Sequence, residues 1–165
     1  DDAAMGAGLL LLAHPGATVC TVFAGWPERY PDEVTEWDAL GGFQTGDDVV
    51  AARREEDRAA LEVLGARHHW LEFSDHQYLA PDERPTAGDV APALAATVDE
   101  LAPTAVFLPL GIANPDHVVT HDAGVQVARQ RPDVTWFAYE DAGYKHIPGM
   151  LAWRIAKLFR SDLWP

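Results

Sequence analysis

Short apolar runs alternate with helix-patterned segments along this chain, and no other feature restricts its fold as much. The runs are residues 9–13, 19–23, 69–73, 105–110 and 134–139. They are short and partly β-branched or aromatic, which predicts buried strands. Residues 47–64 carry a helical pattern. Asp47 or Asp48 can cap its first turn, and Gly65 suits the position after its last. Val50, Ala60, Leu61 and Leu64 share one face, opposite the charged run Arg53-Arg54-Glu55-Glu56-Asp57-Arg58. Residues 90–101 and 117–129 predict two further helices, the first with Pro92 in its opening turn and Pro103 beyond its end. Strands alternating with helices predict an α/β fold, a Rossmann-like three-layer sandwich with a mostly parallel sheet of about five strands. A chain of 165 residues fits a single domain, residues 1–165.

One junction conflicts with that plan. Only His14-Pro15-Gly16-Ala17-Thr18 separates the first two runs, whereas a parallel crossover needs about a dozen residues or more. Either the pair is an antiparallel hairpin through the Pro-Gly turn, or a crossover helix is missing between Pro15 and Ala17. The alternation elsewhere favours the missing helix. Residues 25–46 and 75–89 read as loops. The first is rich in Pro, Gly, acids and aromatics, and loops of that length inside a domain are often functional. Residues 150–165 show a helical period through Leu151, Ile155, Leu158 and Phe159, with Arg154, Lys157 and Arg160 as a solvated basic face.

Charge narrows the partners. Twenty-six acids against twelve bases leave a net charge of -14. Such a surface repels phosphate backbones and anionic lipid, so no nucleic acid and no membrane are expected. No apolar stretch is long enough to span a bilayer, and Asp1-Asp2 lacks the basic start of a signal peptide. The single Cys20 excludes an intrachain disulfide. These features predict a cytoplasmic protein, with secretion after removal of a leader as the alternative. The oligomeric state is open.

Asn114-Pro115-Asp116-His117 follows the run at 105–110 and opens a predicted helix. An acid and an imidazole therefore stand at the carboxyl end of a predicted strand, where open α/β sheets bind ligands. His14 ends the first run in the same way. Two strand-end histidines point to a metal site.

These motifs resemble those of the LmbE-like (PIG-L) N-deacetylases. Leu-Leu-Leu-Leu-Ala-His14-Pro15 resembles the start of the family's Ala-His-Pro-Asp-Asp-Glu motif, which runs into a glycine-containing helix. The stretch from Ala17 to Gly25 resembles the strand that follows that helix. Arg53-Arg54-Glu55-Glu56-Asp57 resembles the Arg-x-x-Glu helix, Asn114-Pro115-Asp116-His117 the His-x-Asp-His motif, and Tyr139-Glu140-Asp141 with Tyr144 a late strand and loop. The resemblance implies a zinc-dependent hydrolase that removes an acyl group from an amino-sugar conjugate, with a glycopeptide antibiotic intermediate favoured among the substrates. Zinc (Zn2+) bound by three protein ligands keeps a position for water, lowers its pKa and polarises the amide. The implied metal ligands are His14, His117 and the second Asp of the Asp-Asp pair, with the first Asp as general base. Neither acid follows Pro15 here. Asp116 matches a carboxylate that orients a ligand or holds a charged intermediate. Asn114 stands where the family usually has His; it can donate to an oxyanion but cannot carry a proton near neutral pH. Glu56 and Tyr144 are the implied substrate contacts.

The other histidines carry less. His121 shares a helix face with His117 and reads as exposed or supporting. His121 and His146 are candidates for the missing acid. His68 and His69 lead into a strand, and His76 lies in a loop. The rival reading is a non-catalytic sugar-binding or scaffolding member that has lost the Asp-Asp pair. A nucleotide-binding Rossmann domain is a weaker rival, because no Gly-x-Gly-x-x-Gly turn follows the first run.

Overall fold

The structure is a computed structural model that describes residues 2–161. Residues 162–165, the end of the predicted tail helix, lie outside the described residues. The chain divides into two compact units. One holds residues 7–84, and the other holds residues from 85 onward together with Asp2 and Ala4–Gly6. None of the described helices is long and apolar enough to cross a membrane.

The first apolar run is helical. Residues Asp2–Ala13 form α1, kinked at Ala7 (φ -129°, ψ 16°), and Leu9 is 86% exposed. The expected strand at 9–13 is therefore corrected. The reason lies partly in the junction, since the residues up to Thr18 cannot make a parallel crossover. Composition adds to it: leucine and alanine are strong helix formers, and the run has no β-branched residue. Turn hydrogen bonds from His14 N to Leu11 O (3.0 Å) and from Ala17 N to His14 O (3.1 Å) then lead the chain into β1, Thr18–Thr21.

In the first unit β1 pairs in parallel with β2, Arg67–Trp70, Thr18 lying opposite Arg67 and Thr21 opposite Trp70. The second of these strands begins two residues before the predicted run. The chain reaches it through α3, Val49–Val63, as parallel pairing requires. Asp48 settles the choice of cap, accepting from Ala51 N (3.1 Å). Gly65 follows the helix with φ +67°, as expected for that position. Val49, Val50, Asp57 and Leu61 form the buried face of α3. Beyond β1 the backbones stay close: Gly25 N donates to Phe73 O (2.9 Å), and a Cβ on Gly25 would lie 2.2 Å from Glu72 O. The long loop at 25–46 contains a short helix, α2, Glu36–Leu40. It is tied down by Asp38, 2% exposed, which accepts from Arg53 Nη2 (2.9 Å) and Tyr78 Oη (2.8 Å).

In the second unit β3, Ala105–Pro109, pairs in parallel with β4, Thr135–Tyr139, Ala105 lying opposite Thr135 and Pro109 opposite Tyr139. The crossover is α5, Pro115–Gln130. Packed against it is α4, Ala87–Leu101, which starts earlier than its periodicity predicts because Thr86 and Asp89 form a capping box. Leu108, Leu110, Ile112, Ala123, Val125 and Val127 form its core with Leu158 of α6, Met150–Phe159. The described sheets are thus two parallel pairs, short of the five strands expected, within a mixed α/β fold.

Arg154 departs from its expected solvated face. It is 1% exposed, donating from Nε to Leu110 O (2.9 Å) and from Nη2 to Asp122 Oδ1 (3.2 Å). Helical period shows that α6 is amphipathic, but it cannot show that an orphan carbonyl at the end of β3 awaits a charged donor. Replacing Arg154 by Met should cost on the order of 3 kcal/mol, since a charged donor is lost from a buried carbonyl. Urea denaturation of both proteins, compared at equal m-value, measures it.

Candidate functional site

The carboxyl ends of β3 and β4 carry the chemistry. After Pro109 the chain leaves the sheet through Leu110, whose N–H donates to Tyr139 O (2.8 Å). It turns at Gly111 (φ +78°) and enters α5 with Asn114 as cap and Pro115 in the first turn. The Asn114 Oδ1 accepts from Asp116 N (2.8 Å) and His117 N (3.4 Å), while its Nδ2 donates to Tyr144 Oη (3.0 Å). Asp116 is 8% exposed in the same turn.

The His117 ring lies between two carboxylates. Its Nδ1 is hydrogen-bonded to Asp141 Oδ1, and its Nε2 lies 3.2 Å from Asp2 Oδ2. The Tyr144 ring stands edge-on to it, with centroids 5.5 Å apart. Burial alone would lower the His117 pKa, but the hydrogen bonds to Asp141 and Asp2 and their charges outweigh it and raise it to about 9. One turn on, His121 is 2% exposed; its Nδ1 donates to Pro109 O (2.8 Å), and its Nε2 has no partner among the described residues. Burial lowers its pKa, so it stays neutral and serves the strand end.

Asn114, Asp116, His117 and Tyr144 are thus brought together in the second unit. His14 and Glu56 belong to the first. His14 is exposed and follows a helix, so the strand-tip argument for it as a metal ligand does not apply. Glu56 lies on the exposed face of α3. His68 stacks on Trp70 (4.2 Å), His76 lies beside Asp75 (3.2 Å), and His146 is exposed. Two residues at the site, Asp2 and Asp141, are given no catalytic, metal or substrate role by the sequence motifs. The signal for Asp2 is an acidic pair directly ahead of a glycine-containing helix, obscured by the His14-Pro15 dipeptide further on. Asp2 and His117 offer an oxygen and an imidazole nitrogen 3.2 Å apart, the donor set zinc accepts.

Solved structures of similar fold are deacetylases. The A40926 pseudoaglycone deacetylase Dbv21 is 31% identical with a TM-score of 0.77, over 87% of this chain and 61% of that one. A triple mutant of the deacetylase of the teicoplanin biosynthetic pathway is likewise 31% identical with a TM-score of 0.77, over 90% of this chain and 63% of the other. A zinc-inhibited form of teicoplanin deacetylase Orf2 is 29% identical with a TM-score of 0.74, over 86% and 64%. The chain therefore spans less than two thirds of the length of these structures. A search of curated proteins finds no match. The PIG-L family, GlcNAc-PI de-N-acetylase, matches residues 1–128, and the chain belongs to that family.

The raised pKa of His117 has a sign that can be checked. A folded value of about 9 against 6.5 means that protonated His117 stabilises the metal-free fold fully below pH 6.5. That contribution is lost as pH rises through about 9. In EDTA, the thermal midpoint should fall over this range, and the fall should be smaller in His117→Gln.

Proposed function

We propose that the site at the ends of β3 and β4 serves zinc-dependent removal of an N-acyl group from an amino sugar, carried on a secondary-metabolite glycoside of the glycopeptide type. The observation that carries this reading is His117 placed between Asp2 and Asp141, in a chain of the PIG-L family. The deacetylases of similar fold act in teicoplanin and A40926 chemistry, and that supports the substrate class.

Asp2 takes its place from the order of the motif. In the family an Asp-Asp pair runs into a glycine-containing helix and then a strand. Here Asp1-Asp2 runs into α1, with Gly6 and Gly8, and then β1. In this reading α1 is the family's glycine-containing helix, and no further helix is needed between Pro15 and Ala17. Asp2, not His14, is then a metal ligand beside His117, and Asp1 stands where the family has its general base. The ground for a non-catalytic member, loss of the acid pair, disappears with it.

Zinc held there would supply an activated water and polarise the amide carbonyl. The chain's own residues do the rest. His117 would hold the zinc through Nε2, because Nδ1 is engaged by Asp141. Asp116, buried in the first turn of α5, adds negative charge next to His117. Asn114 shapes the strand end as a cap and holds Tyr144 Oη, which leaves that hydroxyl proton to meet substrate.

The test is metal content and acetate release from an N-acetylglucosaminide. His117→Ala and Asp2→Ala should each lose stoichiometric zinc and turnover together. Either variant with full zinc and full turnover would remove that residue from the ligand set.

A further inference from the structure

We propose that Asp141 is the positioning residue of this site, fixing His117 with the proton on Nδ1 and the Nε2 lone pair turned outward for a divalent cation. The proposal rests on reading His117 as a metal ligand. It adds the residue that makes His117 one.

Asp141 is 3% exposed, and its carboxylate is fully committed. Its Oδ2 accepts from Gly111 N (2.9 Å) and Ile112 N (3.1 Å), and its Oδ1 receives His117 Nδ1. An ionised carboxylate only accepts, so the nitrogen facing it must carry the hydrogen. In a neutral imidazole the opposite nitrogen then holds the lone pair that a cation needs. The two backbone donors anchor the carboxylate independently of the ring, so the ring follows the carboxylate. They converge because the chain turns at Gly111 with φ +78°. A Cβ there would lie 2.8 Å from Arg154 Nη2 and 3.1 Å from Val118 Cα, so the turn needs glycine. The last residues after β3, the first after β4 and the first turn of α5 are thereby joined through one side chain.

Asp141→Asn keeps the shape but cannot accept from both backbone donors and the ring while placing its own amide. Calorimetric titration with zinc at fixed pH should show affinity falling about 10- to 100-fold. In zinc-loaded protein with 15N-labelled histidine, the strongly deshielded Nδ1 proton of His117 should move upfield or vanish. A merely structural carboxylate would leave that resonance in place. Gly111→Ala, which keeps the carboxylate and displaces its anchor, should weaken zinc in the same direction.

Zinc affinity within twofold of wild type in a folded Asp141→Asn, with the Nδ1 proton unmoved, overturns the proposal. Should that variant not fold, the wild-type spectrum decides, because a proton found on Nε2 of zinc-loaded protein has the same consequence. A wild type that takes up no zinc sinks the metal reading and this proposal together. A wild type and Asp141→Asn that bind equally sink this proposal alone.

Discussion

Parallel pairing is the constraint from which the site follows. Two parallel strands joined by a helix must both end on the same side, so whatever follows each strand meets there. In the second unit those continuations are Leu110 to His117 after β3 and Glu140 to Tyr144 after β4. The hydrogen bond from Leu110 N to Tyr139 O carries the pairing one step beyond β3. Only then do Asp141 and Gly111 lie close enough for the carboxylate to accept the backbone N–H at 2.9 Å. The donors cost no loop ordering of their own, because sheet and helix have already fixed the backbone that presents them.

The same logic separates what could be read in the sequence from what could not. β3, β4 and α5 were legible because period, β-branched content and an Asn-Pro helix start agree. The run at 9–13 was not, since a short apolar stretch has no period of its own and leucine serves helix and strand alike. The crossover rule flagged the conflict at that junction, and the run before it is helical rather than extended. Buried charges were the least legible. Asp38, Asp57, Asp141 and Arg154 find partners between 13 and 44 residues away. In sequence each resembles a solvated acid or base. Asn114, Asp116, His117 and Tyr144 could be named from motif order, but the orientation of His117 depends on Asp141, whose contact no local spacing encodes.

Electrostatics gives the cluster its direction. Asp2 and Asp141 flank His117, with Asp116 in the same helical turn, in a chain of net charge -14. Without a cation, the cheapest way to hold the two flanking carboxylates beside the ring is to protonate it, which is why its pKa is raised to about 9. On the proposed reading, a divalent cation at Nε2 would answer the same excess of negative charge and would displace that proton. Proton and metal would then compete for one nitrogen, and metal affinity would be tied to pH by the arrangement itself.

Asn114 shows how a substitution at a motif position can trade chemistry for architecture. Its Oδ1 is consumed by the first N–H groups of α5, and its Nδ2 by Tyr144. An imidazole could not fill both roles with the same geometry, since it has one acceptor and one donor on opposite sides of a ring. His121 does not replace it, being buried, held neutral and bonded to Pro109 O. On the proposed reading, protonation of a departing amine would fall to groups beside the His117 ring or to solvent. The hydroxyl of Tyr144 accepts from Asn114 and keeps its own proton to donate, beside a ring that stands edge-on to His117.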